Sequence, residues 1–224
     1  MIMREKTLFT WSGGKDSALA LSEMLRSEKY DIVALVTTIT ADYDRVSMHG
    51  VRRVLLEEQA ASLGLPLDEV FLSKDASNED YGLKMQQMLE KYKDARVSTV
   101  AFGDIFLEDV RKYREDNLSK IGMKALFPLW KKDTKVLANL FIKSGFKAIV
   151  TCVDSKALDK TFVGKTFDTR FLSRLPASVD PCGENGEFHS FVFDGPIFHT
   201  PIRFTKGKIV LRDNRFYYCD LVPG

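Results

Sequence analysis

The sequence predicts an α/β protein, a mainly parallel sheet wrapped by helices, followed by a smaller C-terminal α+β domain. Three observations carry this expectation. Over the first half, short β-branched runs alternate with amphipathic helical stretches. A glycine doublet, Gly13-Gly14, joins the first strand-like run to the first helical one. Beyond a strand-like run at Lys147–Val153 the chain becomes rich in Gly, Pro and Asp, with further short strand-like runs to its end.

The elements follow in order. Strands are expected at Thr7–Trp11, Ile32–Thr38, Glu69–Leu72 and Ser98–Phe102, where β-branched and aromatic residues cluster. Helices are expected between them at Asp16–Ser27, Val51–Leu63, Glu79–Tyr92 and Glu108–Ile121. In the first helix Leu21, Met24 and Leu25 recur at helical spacing, which predicts one face packed on a sheet. The run Ala125-Leu126-Phe127-Pro128-Leu129-Trp130 reads as a junction, and Thr134 as the cap of a helix reaching Ser144. The expected boundary therefore divides a first domain, 1–128, from a second, 129–224. In the second, strands are expected at Lys147–Val153, Phe188–Phe193, Arg203-Phe204, Lys208–Leu211 and Phe216–Leu221.

Bulk properties narrow the class of protein. With 45% hydrophobic and 29% charged residues in 224, the chain can build a core, and disorder is not expected. A formal net charge of +2 gives no nucleic-acid footprint, so nucleic acid is not expected as a partner. Met1-Ile2-Met3-Arg4-Glu5-Lys6 contains no apolar export segment, and no stretch is long enough to span a bilayer, so neither export nor a membrane is expected. Cys152, Cys182 and Cys219 are odd in number and widely spaced, which suits a reducing cytoplasm.

The chemistry centres on Ser12-Gly13-Gly14-Lys15-Asp16-Ser17, set between Leu8-Phe9-Thr10-Trp11 and Ala18-Leu19-Ala20-Leu21. Adjacent glycines let the backbone approach an anion without a Cβ clash, and the amides at the helix start point toward it. Ser12 and Ser17 supply hydroxyl donors and Lys15 a balancing charge. Asp16 is a natural ligand for the Mg²⁺ that accompanies ATP, since Mg²⁺ prefers carboxylate and phosphate oxygens. A Walker A loop is excluded, because Phe9 stands where its first glycine belongs and Asp16 where its Ser or Thr belongs.

Other positions group around this loop. Gly103 and Asp104 close a strand, where open α/β sheets bind ligands. On the following helix Arg111, Arg114 and Glu115 share a side, and the arginines can fork a triphosphate or anionic acceptor. For Arg114 and Glu115 ordinary solvated ion pairs account for the residues equally well. Asp180–His189 combines two glycines, two glutamates and an asparagine, a composition suited to a shaped polar loop rather than a core. Cys152 and Cys219 read as packed thiols.

Ser-Gly-Gly-x-Asp-Ser after a first strand resembles the PP-loop of N-type ATP pyrophosphatases. Cys182-Gly183-Glu184-Asn185-Gly186-Glu187-Phe188-His189, followed by Phe193-Asp194-Gly195-Pro196, resembles the C-terminal signature of the diphthine–ammonia ligase family within that superfamily. The resemblance covers nearly the whole chain. It implies a doubly wound α/β sheet of the adenine nucleotide α-hydrolase type and cleavage of ATP between its α and β phosphates. By the same resemblance, the segment from Thr37 to Val51 cups adenine and ribose. There Met48 packs on adenine or in the core, and His49 meets a phosphate or opens the next helix. The Cys182–His189 loop faces the ATP and receives the acceptor.

The implied reaction is adenylation of a carboxylate acceptor, release of pyrophosphate, and displacement of AMP by ammonia; the family's namesake acceptor is diphthine, a modified histidine on a translation elongation factor. Lys15, Asp16, Arg111 and Glu187 are the expected catalytic residues. ATP contacts are expected from Ser12, Gly13, Gly14, Lys15, Asp16, Ser17, Thr37, Met48, Gly103 and Asp104, with Mg²⁺ on Asp16. Acceptor contacts are expected from Arg114, Glu115, Cys182, Gly183, Glu184, Asn185 and His189. Two other readings stand beside this one. A tRNA-modifying enzyme of the superfamily predicts a basic appendage or paired cysteines, and a nucleotide-binding sensor predicts binding without turnover. A homodimer is left open.

Overall fold

The computed structural model describes residues 4–224, so the reading of Met1-Ile2-Met3 lies outside the described residues. A five-stranded parallel sheet forms from β1 (Glu5–Thr10), β2 (Tyr30–Thr40), β4 (Leu67–Leu72), β5 (Thr99–Ala101) and β6 (Lys124–Leu126) in the spatial order β4-β2-β1-β5-β6. A two-residue strand, β3 (Arg45–Val46), pairs antiparallel with the end of β2, where β2 outruns β1. The chain first winds outward from β1 through β2 to β4, then returns to β5 on the other side. Its direction thus switches between β1 and β5, the position at which a doubly wound sheet opens a crevice at its carboxyl edge.

Alternation along β1 builds two cores. Leu8 packs with Ala34, Val36, Val70, Met85 and Leu118 beneath α3 (Asn78–Glu90) and α4 (Glu108–Lys120). Phe9 packs on the opposite face, with α1 (Lys15–Arg26), α2 (Arg53–Leu63) and α5 (Thr134–Lys143). Both are fully buried, as central parallel strands require. The second face continues without a break into the C-terminal half, where β8 (Phe188–Asp194), β7 (Lys147–Asp154), β10 (Phe216–Pro223) and β9 (Phe204–Arg212) form an antiparallel sheet in that order. Phe141, Phe167, Phe171, Phe188 and Phe191 fill the joint.

Several local expectations change. Leu25 is 46% exposed whereas Leu21 and Met24 are buried, so the helix packs on a narrower stripe than its spacing predicts. The cap of α5 is Asp133, whose carboxylate accepts from the Val136 amide at 2.8 Å; Thr134 instead donates to Asp180 Oδ2 at 2.6 Å. Phe204 and Lys208–Leu211 belong to the single strand β9, because Gly207 continues the strand, whereas Arg203 precedes it. The short strands β3 and β6, and helix α6 (Thr169–Arg174), are additions to the expected set.

Candidate nucleotide and acceptor site

The loop between β1 and α1 sits at the switch point, and buried hydrogen bonds fix it from below. Gly13 adopts φ +75°, and a Cβ there would stand 2.7 Å from Gln59 Oε1. Its carbonyl accepts from the Val192 amide at 2.8 Å and from Gln59 Nε2 at 3.2 Å. Gln59 is fully buried, donates also to the Val192 carbonyl, and accepts from Trp11 Nε1 at 2.9 Å. The Lys15 amide donates to Ser190 Oγ at 3.2 Å. The loop is therefore braced against both α2 and β8, while Gly14 caps α1 without a side-chain bond.

Above the loop lies a cleft of about 320 Å³. Ser12, Gly14, Lys15, Asp16 and Ser17 form its floor, and Gly103 and Asp104 enter from the end of β5. Gly103 is required by close approach: a Cβ there would stand 3.0 Å from the Ser17 amide nitrogen and 3.2 Å from the Asp16 carbonyl carbon. From β2, Thr37 presents a buried hydroxyl with no hydrogen-bond partner among the described residues. A buried polar atom left unpaired is costly, and a bound ligand would relieve it. Thr37 and the glycine-floored loop together fit an incoming nucleotide.

The Cys182–His189 loop forms the opposite wall. Gly183, Glu184, Gly186 and His189 reach the cleft. Two carboxylates hold the loop: Asp180 Oδ1 accepts from the amides of Cys182 at 2.9 Å and Glu184 at 3.2 Å, while Glu187 accepts from Asp180, from the Asn185 amide and from Asn185 Nδ2, each at 3.0 Å. Glu187, expected in the catalytic set, is thus buried and occupied in shaping the loop, and Asn185 is tied to it outside the cleft. Cys182 is buried too; its Sγ donates to the Thr134 carbonyl, and burial pushes its thiol up, away from thiolate chemistry.

Lys15 links the two walls. Its ammonium bonds Asp16 Oδ2 at 2.8 Å and the Cys182 carbonyl, and stands 5.1 Å from the Phe188 ring centre. Burial opposes its charge, but Asp16 and the surrounding anions outweigh that and hold its pKa above the ordinary lysine value. Glu184 Oε1 accepts from the amides of Ile105 at 2.6 Å and Phe106 at 3.2 Å. Burial outweighs those bonds and, with Asp16 and Asp104 nearby, pushes its carboxyl up to about 7. The His49 and His189 rings lie 4.6 Å apart, tilted by 39°, with His49 beside Gly14. Burial lowers His49 to about 4 and takes His189 well below its ordinary value, so both rings are neutral at pH 7.

The helix after Asp104 departs from expectation. Arg114 pairs with Asp104 at 2.8 Å over the Phe102 ring at the cleft's edge. Arg111 faces away from the cleft, 4.7 Å from the Trp130 ring centre and paired with Glu115 at 2.7 Å, because the two lie one turn apart on the helix side that meets the junction. Met48 borders the cleft but is 67% exposed, at φ +66°, and so is no core residue. Sequence reasoning missed Gln59 and Ser190. Gln59 carries a signal, being a large polar residue among Leu55, Leu56, Ala60 and Leu63 on the buried side of the helix.

Asp16 and Asp104 are the carboxylates on the loop side of the cleft, and no group of three or more possible metal ligands occurs among the described residues. Such a donor set suits a Mg²⁺ that keeps water and phosphate oxygens as its other ligands, not an all-protein cage. Among the described residues no helix is long and apolar enough to cross a membrane.

The diphthamide synthase N-terminal domain matches residues 5–125, and the diphthamide synthase C-terminal domain matches residues 133–220. The diphthine–ammonia ligase of Schizosaccharomyces pombe is 29% identical over 92% of this chain, which spans 37% of that longer protein. The diphthine–ammonia ligase of Danio rerio is 29% identical over 91% of this chain and 88% of its own length. Among solved structures, the U34-tRNA thiolase NcsA from Methanococcus maripaludis aligns with a TM-score of 0.38 and 16% identity, over 63% of this chain and 58% of that one. With the N-terminal match alone covering more than half of the sequence, the chain belongs to the diphthamide synthase family.

Proposed function

We propose that this chain is an ATP-dependent, amide-forming ligase of the diphthine–ammonia ligase kind, acting in the cytoplasm, where its three free, buried cysteines would stay reduced. Residues 1–128 hold the nucleotide and residues 129–224 present the acceptor. A carboxylate oxygen of the acceptor attacks the α phosphorus of ATP, the bond to the bridging oxygen breaks, and pyrophosphate leaves. Ammonia then attacks the acyl carbon and AMP departs.

The observation that carries this reading is the meeting of the Ser12–Ser17 loop and Glu184 in one cleft. Ser12, Ser17 and the loop amides hold phosphate oxygens, Thr37 meets the ribose or base, and Asp16 would hold a Mg²⁺ that neutralises phosphate charge when bound. Lys15 adds positive potential from beneath while fixing the acceptor loop. Ammonium must lose a proton to expose its lone pair. Glu184, with its carboxyl near 7, is the cleft group suited to take that proton at neutral pH. The neutral histidines donate hydrogen bonds to phosphate without adding charge.

Incubation with ATP, Mg²⁺, ammonium and candidate carboxylates, a diphthine-bearing elongation factor among them, should release AMP and pyrophosphate. ADP and orthophosphate as products would overturn the reading.

A further inference from the structure

The second sheet carries a cleft that none of these steps uses. It lies between segment 162–168, α6 and β9, with a volume of about 260 Å³, and four cationic side chains line it: Lys165, Arg170, Arg174 and Lys206. They come from three separate stretches of chain. None forms an ion pair among the described residues, whereas other cations of the same half do, Lys147 with Asp194 and Arg215 with Asp154. The acid in its wall, Asp168, is engaged elsewhere, its Oδ1 accepting from the Phe171 amide at 2.8 Å to cap α6.

Like charges gathered around a concavity repel one another, in a chain whose formal net charge is only +2. An anion would relieve that repulsion. Arg174 is partly preorganised for one, since its guanidinium lies 5.6 Å from the Phe162 ring centre. Two guanidinium forks with two ammonium groups match the several oxygens of a phosphate better than a single carboxylate. The site is distinct from the nucleotide cleft, because Phe171 in its wall packs edge-on to Phe188 at 5.3 Å, and Phe188 in turn lies beneath Lys15.

We propose that the cleft of Lys165, Arg170, Arg174 and Lys206 binds a small phosphate-bearing anion, independently of ATP. The bounded volume favours a compact ligand over an extended polyanion.

The test is calorimetric titration of the full chain with inorganic tripolyphosphate, with the nucleotide cleft saturated by a non-hydrolysable ATP analogue and Mg²⁺. One equivalent should bind to the wild type. Binding should weaken at least tenfold in Arg170→Ala/Arg174→Ala and in Lys165→Ala/Lys206→Ala, while analogue affinity stays unchanged. Absence of tripolyphosphate binding in the wild type, or equal binding in both double variants, would overturn the proposal. So would displacement of tripolyphosphate by a single-stranded oligoribonucleotide that binds far more tightly and with a steep salt dependence, which would assign the cleft to RNA.

Discussion

Gln59 Nε2 donates to the Gly13 carbonyl at 3.2 Å, and through that bond the second helix holds the Ser12–Ser17 loop from below. The same carboxamide joins Trp11 Nε1 and the Val192 carbonyl, so one buried side chain ties together the end of β1, the loop and β8. Gln59→Leu keeps the volume but leaves the indole N–H and the Val192 carbonyl unpaired in the interior. The expected cost is roughly 2–6 kcal/mol, at about 1–3 kcal/mol for each of the two buried groups left unsatisfied, read from urea denaturation. Unchanged stability would show that the clamp is idle.

The Lys15–Asp16 pair makes a different prediction. Simple loss of a phosphate contact would leave the fold intact on truncation of either residue. Lys15, however, is 3% exposed and also supports the Cys182 carbonyl. Lys15→Ala should therefore destabilise by about 3 kcal/mol, as expected when one partner of a buried pair is removed, in addition to losing turnover. Asp16 is more open, with 27% side-chain exposure, and Asp16→Ala should cost less stability while still abolishing turnover. A double-mutant cycle in thermal unfolding checks this, since additive losses would mean that the pair is not coupled.

Gly103→Ala tests the approach of β5 to the loop. The new methyl would meet backbone atoms of Asp16 and Ser17, which cannot swing aside as a side chain can. The loop must shift by a few tenths of an ångström. Affinity for a non-hydrolysable ATP analogue should fall at least tenfold, with the melting temperature lowered by only a few degrees. Unaltered affinity would place the nucleotide elsewhere.

The sheet and the loop were legible because both leave short-range marks: β-branched runs give the parallel strands, and Gly13-Gly14 between a strand and a helix gives the cradle. The second wall was legible as a polar loop, but the division of labour inside it was not. Glu184 and Glu187 look alike in sequence, and only the fold turns one toward the cleft and the other toward Asp180 and Asn185. Arg111 and Arg114 differ by less than one helical turn, yet Trp130 draws one away and Asp104 keeps the other at the edge. Long-range partners such as Gln59 and Val192, 133 positions apart, leave no periodic signal at all.

Glu184 gives the last prediction, and its sign follows from the direction of the shift. The carboxyl is raised from 4.5 to about 7 in the folded chain, so between those values the folded state holds a proton that the unfolded state has lost. Stability attributable to this group therefore falls as pH rises through that window. Glu184→Gln removes the ionisation yet keeps an oxygen to accept from the Ile105 and Phe106 amides. The variant should be more stable than the wild type at pH 8, by on the order of 2 kcal/mol after allowing for partial solvation of the group. The difference should vanish below about pH 3.5, where the wild-type carboxyl is neutral in both states. If Glu184 also accepts the ammonium proton, the wild-type amidation rate should climb as pH rises through about 7, and the Gln variant should be slow with that limb absent. Parallel unfolding curves at both pH values would remove the raised carboxyl from the account, and a retained limb in the variant would assign the proton to another group.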